Sequence, residues 1–193
     1  RLSKTNPHTE CNTYPTFLTE SNALEIIQGY DLVIDGSDNF KTRYLLNDAC
    51  VIHKVPFIYG SILKYEGQVS VFNYLGGPSY RCLFSEPPEH MPTCSQIGVI
   101  GVLPGIIGSL QANEALKIIL NQNGILSGKL LIYDLKENQQ QLLSFYRNEE
   151  NFRLASLNDY SKYDNCQMVS AISVDELNEE IEKFFLLDIR PFE

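Results

Sequence analysis

Residues 30–62 constrain the fold more than any other stretch, because their pattern predicts a strand, a helix and a second strand. Residues 30–35 form a short apolar run that ends in polar residues, as a buried strand does. Residues 40–54 have one apolar side at helical spacing, and Pro56 lies just beyond them. Residues 55–62 are again apolar. This order is typical of a βαβ unit with parallel strands and a right-handed crossover.

The remainder of the first 150 residues adds a helix and further strands. Strands are predicted over 66–75, 129–135 and 141–147, a Pro-rich loop over 85–96 and a helix over 104–120. The predicted fold class is therefore α/β, with parallel strands first and mixed or antiparallel strands afterwards.

Charge and hydropathy argue against two classes of partner. The chain has 193 residues, 44% of them hydrophobic, so it can bury a core. Its 24 acidic residues outnumber 15 basic ones and give a net charge of −9, which argues against nucleic-acid or anionic-membrane binding. The one long uncharged run, residues 97–110, is too short to span a bilayer. We expect neither nucleic acid nor membrane among the partners.

Cysteine use indicates a reducing compartment. The five cysteines are an odd number without close spacing, and no signal peptide is evident. We therefore expect free thiols and a cytoplasmic protein. The chain begins at Arg1 rather than Met, so we also expect a partial chain.

The C-terminal residues differ in composition from the rest of the chain. Residues 171–193 contain seven acidic and two basic residues, and residues 151–170 are polar and weakly patterned. We predict a domain at 1–150, a linker at 151–170 and the start of a different unit at 171–193.

The segment Asp35-Gly36-Ser37-Asp38-Asn39 is the strongest candidate for a binding site. It joins a predicted strand to a predicted helix, and ligands of open α/β sheets lie outside the carboxyl ends of the strands. The helix N-terminus can face a phosphate, and Asp38 can hold a Mg²⁺ ion that bridges phosphates. The alternative is that Asp38 or Ser37 only caps the helix, and caps are far commoner than metal sites.

Two other features allow both a functional and a structural interpretation. The four glycines within residues 98–108 could form a phosphate loop, but neither the dinucleotide fingerprint nor the Walker A pattern is present. Close helix packing explains them better, and the same absence argues against a Rossmann-type dehydrogenase. Cys94, in the Pro-rich loop, is either a nucleophile or an inert thiol.

Several ordered strings carry a family resemblance. Residues 35–47 follow the pattern D-x-x-D-N-x-x-x-R-x-x-x-N, with Asp38, Asn39 and Arg43 at its central positions. The other strings are Asn6-Pro7-His8, Glu66-Gly67-Gln68, Tyr80-Arg81-Cys82-Leu83-Phe84, the run from Cys94 to Glu114, and the run from Gly128 to Asp134. Together they resemble the MoeB/ThiF/HesA family, bacterial relatives of the ubiquitin-activating enzymes, over about residues 1–150.

The resemblance implies the C-terminal part of a Rossmann-like activating-enzyme fold and an adenylyltransferase activity. Such enzymes use ATP and Mg²⁺ to adenylate the C-terminal Gly-Gly of a ubiquitin-like sulfur-carrier protein, for molybdopterin or thiamine synthesis. By resemblance Asp38 would hold Mg²⁺ near the phosphates, Asn39 would lie beside the nucleotide and Arg43 would support the site. Cys94 matches a loop cysteine that bonds covalently to the carrier in some members. Relatives are homodimers, so we expect a homodimer.

The sequence departs from the family in two ways. Members often hold zinc with one C-x-x-C pair around the Tyr-Arg dipeptide and a second pair after the last strands. Ser79 occupies the first position, which leaves Cys82 alone, and no second pair surrounds Cys166, so we expect no structural zinc. The family's N-terminal part, with its Gly-rich nucleotide loop and phosphate-binding Arg and Lys, is also missing, so we expect this chain to be inactive alone.

The C-terminal residues carry a second, shorter resemblance. Residues 173–178 followed by 185–193 resemble the opening of a rhodanese domain, whose catalytic cysteine would lie beyond Glu193. A disordered acidic tail is the alternative, but residues 184–187 are too apolar for it. For the whole chain two functions stay open, an adenylyltransferase and a non-catalytic module that binds the tail of a ubiquitin-like carrier.

Overall fold

The computed structural model describes residues 2–87, 98–163 and 182. Within these ranges the strands are β1 (Val33–Ile34), β2 (Phe57–Leu63), β3 (Glu66–Phe72), β4 (Lys129–Asp134) and β5 (Gln139–Ser144). The helices are α1 (Leu2–Thr5), α2 (Ala23–Ile27), α3 (Phe40–His53), α4 (Tyr80–Leu83) and α5 (Leu103–Ile119). Short 3₁₀ turns occupy Tyr74–Gly76, Glu149–Phe152 and Ser161–Tyr163. No helix in the described ranges is long and apolar enough to cross a membrane.

The strands form one mixed sheet in the order β1-β2-β3-β4-β5. β1 pairs with β2 in parallel, with Val33 opposite Phe57. β2–β3, β3–β4 and β4–β5 are antiparallel pairs. The α/β class, with a parallel pair followed by antiparallel strands, is therefore confirmed.

Local interactions at both ends fix the length of α3. The Asn39 side chain accepts a 2.8 Å hydrogen bond from the Thr42 backbone N–H, which is the geometry of an N-cap. Lys54 adopts a left-handed conformation with φ of 57°, and its N–H bonds back to the last turn. The alternative that Asp38 or Ser37 caps this helix is therefore wrong, because Asn39 does so.

Side chains alternate across the sheet and contact a different set of helices on each face. Phe57 and Tyr59 of β2 join the larger hydrophobic core, which includes Tyr44 of α3. Ile58 belongs to a second cluster with Ala115 of α5. α5 lies close to this second face, since a Cβ on Gly67 would collide with the Ile107 side chain. The sheet thus lies between α3 and α5.

The packed domain extends past the predicted boundary at residue 150. Tyr160 and Tyr163 are buried in the larger core, and the Tyr163 ring stacks on Tyr44 with 4.5 Å between centroids. Leu157, Tyr160 and Tyr163 thus pack against the core from within the stretch that the sequence predicted to be a linker. Residues 164–170 of the predicted linker, Cys94 and the predicted unit at 171–193, apart from the exposed Glu182, lie outside the described residues.

Candidate functional site

The turn between β1 and α3 is built around the buried carboxylate of Asp35. Asp35 is 1% exposed. One of its oxygens accepts hydrogen bonds from the Ser37 backbone N–H at 2.8 Å and from the Ser37 hydroxyl at 2.6 Å. An aspartate that bonds the backbone two residues ahead closes a tight turn. This turn directs the next residues, Asp38 and Asn39, outward, where both are exposed.

Arg43 of α3 supports the same turn from below. Its Nε donates to the second Asp35 oxygen at 3.2 Å. Its Nη2 donates to the Ser37 carbonyl at 2.8 Å, and its Nη1 donates to the Ser61 hydroxyl of β2 at 3.3 Å. The guanidinium also lies over the Tyr59 ring, 5.2 Å from its centroid. Because Arg43 is only 8% exposed, its charge acts on the turn rather than on a molecule in solvent.

Gln111 of α5 braces the turn from the opposite face of the sheet. Its amide donates to the Asp35 carbonyl at 2.7 Å and to the Ile58 carbonyl at 3.3 Å. Asp35 directly follows the carboxyl end of β1, and Ile58 of β2 lies opposite Ile34, the last residue of β1. Gly60 makes room for the amide, since a Cβ at this position would collide with the Gln111 side chain. One side chain therefore ties α5 to the edge where the candidate site lies.

Burial and the nearby positive charge shift the pKa of Asp35 in opposite directions. Desolvation raises the pKa of its carboxyl, and the Arg43 guanidinium and the Ser37 hydrogen bonds lower it in part. The two carboxylate oxygens are already engaged, so Asp35 serves the turn and is not open to a ligand. Asp38 is the exposed carboxylate at this position, with the Asn39 amide 3.5 Å from its Oδ1.

The site offers little to a metal ion by itself. Among the described residues, no group of three or more His, Cys, Asp or Glu side chains could hold one. Mg²⁺ commonly takes only one or two protein carboxylates, and substrate phosphates and water complete its shell. An exposed Asp38 fits that requirement in the presence of a nucleotide.

The predicted site residues fall into three positions. Asp38 and Asn39 are together on the surface of the turn, Arg43 is buried beneath it, and Cys94 is outside the described residues. Sequence reasoning assigned no role to Asp35 or Gln111, although both are in the strings that resemble the family. The signal that could have revealed them is a polar residue at a buried position, which needs a specific partner.

A second polar cluster surrounds Cys82, at the end of the sheet. The Cys82 sulfur accepts hydrogen bonds from the Ser79 N–H at 3.4 Å and from the Asn148 N–H at 3.3 Å. The Asn151 amide lies 3.5 Å from the sulfur, and the Ser79 hydroxyl lies 3.4 Å from it. Burial alone would raise the pKa of the Cys82 thiol, but the hydrogen bonds from Asn151, Ser79 and Asn148 outweigh burial and lower it.

This cluster bears on the position of the second cysteine pair of the family's zinc site. In the part of the chain that the structure describes, Asn148 and Asn151 face Ser79 and Cys82, and Cys166 lies outside that part. A structural zinc site takes four ligands drawn from cysteine and histidine. One thiol with a serine and two asparagines does not meet that requirement, so these residues do not fit a zinc ion.

Comparison with known proteins gives the same fold. E. coli MccB matches with a TM-score of 0.64 at 14% identity, over 76% of this chain and 45% of the MccB chain. At this identity the match concerns the fold alone. The chain therefore has the Rossmann-like activating-enzyme fold.

Relatives at higher identity carry adenylyltransferase names. Adenylyltransferase and sulfurtransferase MOCS3 of Dictyostelium discoideum is 39% identical over 99% of this chain and 47% of its own length. The sulfur carrier protein adenylyltransferase of Thermus thermophilus is 48% identical over 77% of this chain and 57% of its own length. The probable molybdopterin-synthase adenylyltransferase of Pyropia yezoensis is 41% identical over 97% of this chain and 52% of its own length.

The chain spans about half the length of these three relatives. Residues 1–154, which are most of the chain, match the sequence profile of the ThiF family. The expected membership is confirmed, and the chain belongs to the ThiF family.

Proposed function

We propose that this protein is an adenylyltransferase that uses ATP to activate the C-terminal carboxylate of a ubiquitin-like sulfur-carrier protein. Membership of the ThiF family supports the reaction class, and the name of the Thermus relative, sulfur carrier protein adenylyltransferase, supports a sulfur carrier as substrate. The observation that carries the proposal is the exposed Asp38 carboxylate, which follows a turn held by the buried Arg43 and Gln111.

The proposed reaction turns a poor electrophile into a good one. A carrier carboxylate oxygen attacks the α-phosphorus of ATP, the bond from that phosphorus to the bridging oxygen breaks, and pyrophosphate leaves with the bonding electrons. The product is a mixed anhydride of the carrier and AMP, which can then accept sulfur. A Mg²⁺ ion held by Asp38 would neutralise charge that develops on the phosphates.

The residues around Asp38 would act by position. Asn39 uses its Oδ1 to cap α3 and directs one amide N–H to Asp38 Oδ1, so its second amide N–H is the group left to face a nucleotide. Arg43 would act as a positioning residue through Asp35 and the Ser37 carbonyl, because its guanidinium is buried. Gln111 would hold the backbone at Asp35, the residue at which the turn to Asp38 begins.

Further assignments rest on the family resemblance alone. Cys94 would form the covalent link to the carrier, and residues 171–193 would open a rhodanese domain that delivers sulfur for molybdopterin or thiamine synthesis in the cytoplasm. A homodimer would bury exposed apolar side chains of α5, among them Leu116 and Ile119.

Pyrophosphate exchange tests the proposal on the full-length gene product. With carrier and Mg·ATP present, labelled pyrophosphate should enter ATP, and Asp38→Ala should slow exchange by about 10²-fold, the usual loss when a transition-state charge loses its partner. Glu137→Ala is the matched control, since it removes an exposed carboxylate on the β4–β5 turn. Carrier binding without exchange in the unaltered protein would contradict the proposal and identify a binding module instead.

A further inference from the structure

The four residues around the Cys82 sulfur are arranged like the four ligands of a metal site. Three of them, however, are not residue types that bind zinc. Ser79 and Cys82 are three residues apart at the start of α4, and Asn148 and Asn151 are three residues apart at the 3₁₀ turn after β5. The two pairs face each other, because both asparagines bond the Cys82 sulfur. Two facing pairs of this spacing are the usual arrangement of four zinc-binding cysteines.

Hydrogen bonds to the Cys82 sulfur connect the two pairs of residues, as a bound metal ion would. The sulfur takes donors from both pairs at 3.3–3.5 Å, which joins α4 to a segment 66 residues further along the chain. A second set of contacts holds the same turn. Arg147 donates to the Gly76 carbonyl at 3.1 Å and pairs with Glu149 at 2.7 Å, and its guanidinium stacks on the Phe152 ring.

We propose that this chain has replaced the structural zinc of its family with a metal-free clasp, in which the Cys82 sulfur accepts hydrogen bonds from Ser79, Asn148 and Asn151. The clasp fixes where the chain leaves α4. Phe84, the residue after α4, packs on Tyr80 with 4.9 Å between ring centroids, and its carbonyl accepts a 3.0 Å hydrogen bond from Tyr44. The clasp therefore sets the position from which the chain continues after Phe84.

The proposal has two measurable consequences for the full-length gene product. After dialysis against EDTA, the unaltered protein should keep its melting temperature and contain less than about 0.1 zinc ion per chain by mass spectrometry. The triple variant Ser79→Cys, Asn148→Cys, Asn151→Cys should bind one zinc ion per chain. With Co²⁺ it should give the intense visible bands of a tetrahedral thiolate site.

Single variants give a test that does not depend on the triple variant folding. Cys82→Ala and Asn151→Ala should each lower the melting temperature by roughly 2–6 °C, as expected for one or two lost hydrogen bonds in a domain of this size. Cys11→Ala is the matched control because Cys11 is exposed, and it should shift the melting temperature by less than about 1 °C.

Three results would overturn the proposal. The first is stoichiometric zinc in the unaltered protein that survives EDTA and disappears in Cys82→Ala. The second is a folded triple variant that binds neither Zn²⁺ nor Co²⁺, which would mean that the four positions do not converge. The third is an unchanged melting temperature in both Cys82→Ala and Asn151→Ala.

Discussion

Arg81 holds Asp48 with two parallel hydrogen bonds. The Arg81 Nε donates to Asp48 Oδ1 and its Nη2 donates to Oδ2, each at 2.8 Å. The Asn47 amide donates to Oδ1 at 2.9 Å, and the Tyr160 hydroxyl donates to Oδ2 at 2.6 Å. Every acceptor direction of this fully buried carboxylate is thus filled. The pair joins α3, α4 and the segment after β5 at one point.

Loss of the Asp48 charge should be costly. Asp48→Asn turns one acceptor into a donor that faces Arg81 or Tyr160, and it leaves the guanidinium without its counter-charge. Removal of one partner of a buried ion pair costs about 3–5 kcal/mol, so we expect a fall of that order in the free energy of unfolding. Urea denaturation followed by circular dichroism measures it. Glu137→Gln, at an exposed ion pair, should change stability by less than about 0.5 kcal/mol. A similar small effect at Asp48 would contradict the assigned role.

The domain boundary can be tested by truncation. A chain that ends at residue 163 keeps Tyr160 and Tyr163 in the core, whereas one that ends at residue 150 loses both. Each large aromatic side chain removed from a core costs about 3–5 kcal/mol. We therefore expect the shorter chain to unfold at lower urea concentration or to be recovered only in inclusion bodies. Tyr160→Phe within the longer chain isolates the hydroxyl, whose bond to a carboxylate is worth about 1.5–3 kcal/mol. Equal stability of the two truncated chains would support the predicted boundary at residue 150.

The contact between Gly60 and Gln111 can be tested with a double-mutant cycle. Gly60→Ala forces the Gln111 amide away from the Asp35 and Ile58 carbonyls and should cost about 1–3 kcal/mol of stability. In the Gln111→Ala background there is no amide with which the added methyl group can collide. Gly60→Ala should therefore cost far less stability there, and the coupling energy should be about 1 kcal/mol or more.

Gly105→Ala is the matched control for this cycle. Gly105 lies in α5, and a Cβ there meets no atom within 4 Å. This change should leave stability unaltered or raise it by up to about 1 kcal/mol, because alanine is the better helix former. If the stability losses of Gly60→Ala and Gln111→Ala are additive, the methyl group added at residue 60 does not collide with the Gln111 side chain.

The thiols should differ in reactivity with iodoacetamide. Cys50 is fully buried in α3, and burial raises the pKa of its thiol to about 12. At pH 8 the reactive thiolate is therefore scarce as well as inaccessible. We expect Cys50 to stay unmodified in the native protein and to react fully in 6 M guanidinium. Cys11, which is exposed, should react in both conditions. Peptide mass spectrometry assigns each site, and rapid native labelling of Cys50 would contradict its burial.

Local patterns were sufficient to predict most of the elements near the site. The apolar run at 30–35, the helix over 40–54 and Pro56 together predicted the βαβ unit, because strand and helix periods and a proline stop are properties of neighbouring residues. The same local patterns predicted the ends of strands less accurately. Residues 73–75 were predicted to continue β3, but Asn73 and Leu75 have positive φ values of 60° and 45°, which no local alternation of side chains reveals.

Long-range contacts account for what the sequence did not predict. Asp35 and Gln111 are 76 residues apart, and the role of each depends on the other. Asn148 and Asn151 face Cys82 only because β4 and β5 bring the chain back beside α4. The burial of Tyr160 depends on Asp48, 112 residues earlier, which accepts a hydrogen bond from its hydroxyl. A sequence pattern assigns polar residues such as these to loops or linkers, because their distant partners are not visible in it.

The order of the strands has a consequence for how the chain folds. Each strand pairs with the strand next to it in sequence, so the sheet can grow by adding one neighbour at a time. Two residues, Lys64 and Tyr65, separate β2 from β3, and a hairpin with so short a connection forms within about 1–10 μs. Loop-closure entropy rises only slowly with length, so the insertion of α4 and α5 before β4 delays its pairing little. We therefore expect the β2–β3 hairpin to be the folding nucleus, onto whose two edges β1 and β4 assemble.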